Sequence, residues 1–136
     1  MKKIILTGFE PFANYQFNPT EVSTLDFHGK VFGDRTVIGV VLPCTYFSAF
    51  SKLYKVIEKE KPYAIISTGL YSSVRGMRIE TTFRNRMCRK YPDNIGFEPK
   101  NVYIAENSPY NMTATARNLE LEKILHENNI PTELSL

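Results

Sequence analysis

Apolar residues fall along the chain in short continuous runs separated by polar punctuation, the pattern of strands buried on both faces. Lys3 to Leu6, closed by Gly8, reads as a first strand, and Thr36 to Leu42, ended by Pro43, as a second. Tyr63 to Ser67, followed by Thr68-Gly69, reads as a third. Between the second and third, Tyr46 to Glu60 carries Phe47, Phe50, Leu53, Tyr54 and Ile57 at the spacing of one helical face. Strand, helix, strand in that order implies a parallel pair joined by a right-handed crossover.

The remaining segments are less regular. Phe9 to Thr20 is a loop rich in aromatics, Asn and Pro, and Pro19-Thr20-Glu21 suits the first turn of a short helix. Val74 to Phe83 alternates in part, as a strand or an extended arm would. Tyr91 to Pro99 holds two prolines, a glycine and an Asp-Asn pair, which makes it a loop. Asn111 to Asn129 is predicted as a second helix with Leu119, Leu121, Ile124 and Leu125 as its apolar positions, ended by Asn128-Asn129 and Pro131. Thr132 to Leu136 alternates like the start of another strand. The elements predict an α/β protein, and the length of 136 residues fits one domain over residues 1–136.

Composition narrows the function classes. The chain is 43% hydrophobic and 23% charged, ordinary values for a globular protein. A net charge of +3 is too small to argue for a nucleic-acid partner. No apolar run approaches the roughly 20 residues of a membrane helix, and the opening lysines with their short apolar run do not make a signal peptide. Two cysteines do not form a disulfide framework. These features predict a cytosolic protein with reduced thiols.

Three groups of residues are candidates for chemistry. Cys44, at the end of a strand, reads as a buried structural thiol. Cys88 lies among Arg84, Arg86, Arg89 and Lys90, surroundings that would lower a thiol's pKa. Cysteine catalysis wants a histidine base, yet His28 sits in a polar loop and His126 near a helix end. No His/Cys cluster has metal-ligand spacing, so neither a metal nor a cofactor is expected. The second group is the segment Arg75 to Lys90, with six cations and Glu80 as its single acid, against 11 basic and 13 acidic residues elsewhere. It is either a solvated arm or oligomer contact, or an anion site built from arginine forks. No phosphate-binding glycine loop accompanies it. Third, Phe9, Phe12, Tyr15 and Phe17 cluster after the first strand. They either wall a pocket at the strand ends or cap the core.

The run Leu6-Thr7-Gly8-Phe9-Glu10-Pro11-Phe12, then Asn18-Pro19, strongly resembles the opening of the type I pyroglutamyl peptidases, cysteine peptidases of family C15. Leu42-Pro43 and Gly69 fit further along, as do Ile79-Glu80 with Asn85, Pro92-Asp93-Asn94 with Gly96, and Asn129-Ile130-Pro131 with Glu133 and Ser135. The resemblance implies a three-layer αβα fold with a mostly parallel sheet, phosphorylase/hydrolase-like, and removal of N-terminal pyroglutamate by a Cys-His-Glu set. On it, Glu80 falls on the glutamate that orients the histidine, and Phe9 and Phe12 on the aromatics that sandwich the pyrrolidone ring. Asn18 falls in the same loop.

Departures accompany these matches. The family's cysteine and histidine come after the strand that begins at Thr132, so the chain is expected to be truncated before both, without the family's C-terminal third. The glutamine that reads the pyrrolidone falls on Leu70 and the arginine near the oxyanion on Lys90. Two glycines fall on Ser72 and Ser73, an acidic pair on Met87 and Cys88, and apolar positions on Arg84 and Arg86. The expectation drawn from these departures is a catalytically incomplete relative that is no enzyme as it stands. It would bind a small anion, a nucleotide or an acidic peptide end, through Phe9, Phe12, Asn18, Leu70, Arg84, Arg86, Arg89 and Lys90. The alternatives are a fragment of an active peptidase acting on N-terminal peptide ends, and an interaction protein that forms a homo-oligomer.

Overall fold

A computed structural model describes residues 1–87, 92–100 and 102–135. The chain divides into two compact units, Met1–Leu70 with Lys90–Glu98, and Tyr71–Arg89 with Pro99–Leu136.

In the first unit the strands are β1 (Lys2–Phe9), β2 (Val31–Phe32), β3 (Arg35–Leu42) and β4 (Ala64–Ser67), and the helices are α1 (Pro19–Phe27) and α2 (Ser48–Glu60). The sheet runs β2-β3-β1-β4. β1 pairs in parallel with β3 along its whole length and with β4 over Ile4 to Thr7, while β2 is antiparallel to β3. The three long apolar runs are therefore the parallel strands, as predicted. β3 and β4 are parallel but not neighbours, since β1 lies between them.

Strand alternation assigns each helix to a face. Ile5, Val40 and Leu42 form the core on one face, joined by Phe9 and Ile38 and covered by Ala49, Leu53, Val56 and Ile57 of α2. The other face is cut back to Gly8 and Gly39. A Cβ on Gly8 would run into the Thr20 carbonyl and Thr24 hydroxyl of α1, and one on Gly39 into the Thr24 carbonyl. Helix, sheet and helix make the three layers expected.

α1 begins where Pro19 predicts, with Asn18 as its N-cap: the Asn18 Oδ1 accepts from the Thr20 amide at 3.0 Å. α2 begins after a strained γ-turn. Phe47 sits at φ 66° and ψ −47°, and the Ser48 N–H donates to the Tyr46 carbonyl at 2.8 Å. The buried face of α2 matches the predicted one at Leu53 and Ile57 and departs from it at Phe47, Phe50 and Tyr54. Phe50 and Tyr54 are 68% and 51% exposed and pack on each other, ring centroids 5.8 Å apart. Small Ala49 and branched Val56 lie against the sheet beside Leu53 and Ile57 instead.

The second unit contains β5 (Met77–Ile79), β6 (Thr82–Arg84), β7 (Asn111–Thr113), α3 (Asn118–Glu127) and β8 (Thr132–Leu134). β5 pairs in parallel with β8, and β6 antiparallel with β7. The single strand or arm read over Val74 to Phe83 is thus two strands broken at Glu80-Thr81, each with its own partner. The terminal strand is present, although Leu136 lies outside the described residues. The helix predicted from Asn111 starts only at Asn118. Asn111 to Thr113 pairs with β6 instead, a long-range ladder that helical periodicity does not register. Among the described residues no helix is long and apolar enough to cross a membrane.

The close approach at Gly8 gives a direct check. Gly8→Ala should lower the stability of the chain by about 3 kcal/mol, since backbone rather than a flexible side chain must yield. Urea unfolding measures it, and a wild-type midpoint would contradict the packing described.

Candidate functional site

Parallel strands end together, and the loops at their carboxyl ends form the usual ligand crevice of an α/β sheet. In the first unit β1 ends at Phe9 and β3 at Leu42, and the Glu10 N–H donates to the Leu42 carbonyl at 3.0 Å. From there one side chain joins three loops. The Glu10 Oε1 accepts from the Cys44 N–H at 3.1 Å and from the Asn94 Nδ2 at 3.0 Å. The same Asn94 amide donates to the Pro11 carbonyl at 3.0 Å, and the Asn94 N–H to the Cys44 carbonyl at 3.0 Å. The two most specific stretches of sequence, Gly8 to Phe12 and Pro92 to Gly96, are therefore bonded to each other.

The Asp93 carboxylate builds its own loop. It accepts from the backbone N–H groups of Tyr46 at 2.9 Å, Ile95 at 3.0 Å and Phe97 at 2.8 Å. Desolvation pushes the Asp93 carboxyl up, but the three N–H bonds outweigh it and hold the group below the usual carboxylate range. Gly96 takes φ 84° to turn the chain back. The Phe97 ring meets Tyr46 and Phe47 edge-on, each at 5.7 Å.

The aromatic loop divides between the two roles considered for it. Phe9 packs against the core cluster. Phe12 is half-buried and lies 5.5 Å from the Tyr15 ring, whereas Phe17 is exposed. Asn18 is fully buried, its Nδ2 donating to the Glu10 carbonyl at 3.2 Å while its Oδ1 caps α1. Its polar atoms hold the loop rather than face a ligand. Leu70 is half-buried beyond the end of β4.

Cys44 has the structural role predicted for it. Its thiol donates to the Glu10 carbonyl at 3.3 Å, and burial, followed by the nearby Glu10 charge, pushes its pKa up to about 11. A thiol so shifted is almost wholly protonated at neutral pH and a poor nucleophile. His28 is also engaged, its Nδ1 accepting from the Gly39 N–H at 3.1 Å.

In the second unit Glu80 is exposed at the break between β5 and β6. Neighbouring Arg78 bonds Glu133 at 2.8 Å and lies 5.1 Å over the Tyr71 ring. That bond, more than the Glu80 charge, raises the Arg78 pKa. Arg84 is exposed on β6 and Arg86 is half-buried. Arg86 lines a cleft of about 240 Å³ with Val102, Tyr103 and Tyr110, and its Nη1 donates to the Tyr110 hydroxyl at 3.4 Å. Cys88, Arg89 and Lys90 lie outside the described residues. His126 bonds the Thr132 carbonyl through Nε2 at 2.8 Å. Among the described residues no group of three His, Cys, Asp or Glu is placed to hold a metal ion.

Asn85, read in the sequence only as part of a motif, holds the backbone between two of that cleft's residues, Tyr103 and Tyr110. It is 3% exposed. Its Oδ1 accepts from the Ile104 and Ala105 N–H groups at 3.0 and 2.9 Å, and its Nδ2 donates to the Ala105 and Ser108 carbonyls at 2.7 and 3.1 Å. Its neighbours Arg84 and Arg86 give no sequence signal of its burial. Glu10 carried none, because its partners are distant in sequence.

Residues 2–136 match the family described as Pyroglutamyl peptidase, Peptidase_C15. The chain is 35% identical over 135 residues to the pyrrolidone-carboxylate peptidase of Thermococcus litoralis, covering 99% of this chain and 61% of that protein. It is 35% identical over 133 residues to the Pyrococcus furiosus enzyme of the same name, covering 98% and 64%. The crystal structure of a mutant pyrrolidone carboxyl peptidase from P. furiosus superposes with a TM-score of 0.96 at 34% identity, covering 98% of this chain and 64% of that one. The chain thus spans just over three fifths of the length of these relatives.

The Asp93 geometry sets a pH dependence. A carboxyl whose folded pKa lies below its unfolded value stabilises the fold above the unfolded value, and that contribution is lost as pH falls through the folded one. Unfolding midpoints should therefore drop as pH falls below the usual carboxylate range, and Asp93→Asn should lessen the drop. Parallel pH curves for wild type and Asp93→Asn would contradict it.

Proposed function

The chain belongs to the pyroglutamyl peptidase family, and from that membership we propose that it recognises the pyroglutamyl group at a peptide N-terminus, in the service of removing it. The observation that carries this reading is the junction of the aromatic loop with the Pro92 to Gly96 loop at the carboxyl edge of the parallel sheet. A pyrrolidone ring has apolar faces and a polar lactam edge, and aromatic side chains suit such faces. In this reading Phe9 and Phe12 take the ring. Cys44 does not suit the nucleophile's role, because its raised pKa leaves little thiolate at neutral pH. Hydrolysis is assigned to the cysteine and histidine that the family carries beyond the stretch matched here.

The cleft at Arg86 favours a second reading. In it the chain binds or sequesters a small anion, either a nucleotide or an acidic peptide end. Arg84 and Arg86 would supply the charge. Self-association as a homo-oligomer in the cytosol is proposed alongside either reading.

Calorimetric titration separates the two. A pyroglutamyl dipeptide amide should bind and its prolyl counterpart should not, since only the former carries the lactam. Leu70→Gln should tighten that binding by about 1 kcal/mol by restoring an amide partner. Equal affinity for both peptides, or none for either, would contradict the first reading. Under the second, AMP or inorganic phosphate should bind at low salt and lose affinity in Arg84→Ala and Arg86→Ala. Unchanged binding in both variants would remove it.

A further inference from the structure

Ligand loops at strand ends are commonly the most mobile part of an α/β protein. A loop that must order on binding loses affinity to the entropy of ordering. The loop from Glu10 to Asn18 carries Phe12 in its middle and is tied down at both ends. At its start the Glu10 carboxylate holds the Cys44 N–H and the Asn94 amide. That amide in turn holds the Pro11 carbonyl, directly before Phe12. At its far end Asn18 reaches back to the Glu10 carbonyl, which also accepts the Cys44 thiol. The loop thus closes on one residue, and that residue, with Pro11, stands between Phe9 and Phe12.

We propose that Glu10, with Asn94 as its partner, is a positioning residue: it fixes the setting of the Phe12 ring relative to Phe9 and so presents a preformed slot to the pyroglutamyl group. The proposal rests on the pyroglutamyl reading given above. The slot is held by hydrogen bonds rather than by packing, because Phe12 is only half-buried and its ring neighbour Tyr15 is exposed. What the clamp requires of residue 10 is an acceptor oxygen rather than a charge, since both donors are neutral amides that meet the same Oε1. Glutamine can supply that oxygen and alanine cannot.

Calorimetric titration of the pyroglutamyl dipeptide amide tests this with wild type, Glu10→Gln, Glu10→Ala, Asn94→Ala and Val37→Ala. Val37 is buried in β3 and makes no contact with the clamp's hydrogen bonds, so its variant loses stability without disturbing them. Glu10→Ala and Asn94→Ala should each weaken binding at least about tenfold, and Glu10→Gln should stay within about threefold of wild type. Val37→Ala should bind as wild type does. Ring proton shifts of Phe12 should move in Glu10→Ala and Asn94→Ala without ligand, and not in Val37→Ala. If Glu10→Ala does not fold, Glu10→Gln against Asn94→Ala carries the comparison. Wild-type binding with Asn94→Ala within threefold of it would overturn the clamp alone. Equal weakening in Val37→Ala would overturn it too, by showing a loss of stability only. Failure of the wild type to bind would overturn the pyroglutamyl reading and the clamp with it.

Discussion

β1 is held on both sides in parallel register, and the first unit depends on that pairing. Its eight residues align with all of β3 and half of them with β4. The register brings the ends of β1 and β3 level, so that Glu10 continues the ladder to Leu42 and its side chain meets Cys44. The two faces of the pair are unlike. One is apolar and takes α2. The other is stripped to glycine at positions 8 and 39, so that α1 lies with its backbone almost on the sheet. A slip of one residue would exchange these faces and bury side chains where no space exists.

The candidate site follows from the same register. Asn18 starts α1 and fixes the end of the aromatic loop with the two ends of one amide. Glu10 and Asn94 fix its start. The motif residues that make this chain a pyroglutamyl peptidase relative are thus largely those that shape the loops. Cys44 belongs to that scaffold as well: its raised pKa and its bond to Glu10 give it a packing role. In the second unit Asn85 does comparable work for the 102–110 loop and the Arg86 cleft.

The parallel strands were legible because strands buried on both faces read as unbroken apolar runs. The start of α1 was legible in Pro19, yet the cap at Asn18 was read as a ligand contact, since an asparagine serves both purposes equally well in sequence. For α2 the end at Glu60 is legible, as are Leu53 and Ile57 on its buried face, whereas the exposure of its rings is not. Hydrophobicity ranks Phe50 and Tyr54 above Ala49, while the sheet selects by shape. Helix α3 was begun seven residues early because β7 owes its existence to β6, 29 positions upstream at the Phe83–Met112 pair. The role of Glu10 is not legible for the same reason: its partners stand 34 and 84 residues away.

In the reading proposed above, the carboxyl edge of the first unit presents a slot for a pyrrolidone ring between Phe9 and Phe12. A crystal structure of the chain soaked with 2-pyrrolidone tests this most directly. The account predicts density for the ring between those two phenylalanines, with the Glu10–Asn94 bond intact. A ring found only in the Arg86–Tyr103–Tyr110 cleft, or an empty slot in crystals where Phe9 and Phe12 are clear of lattice contacts, would contradict it.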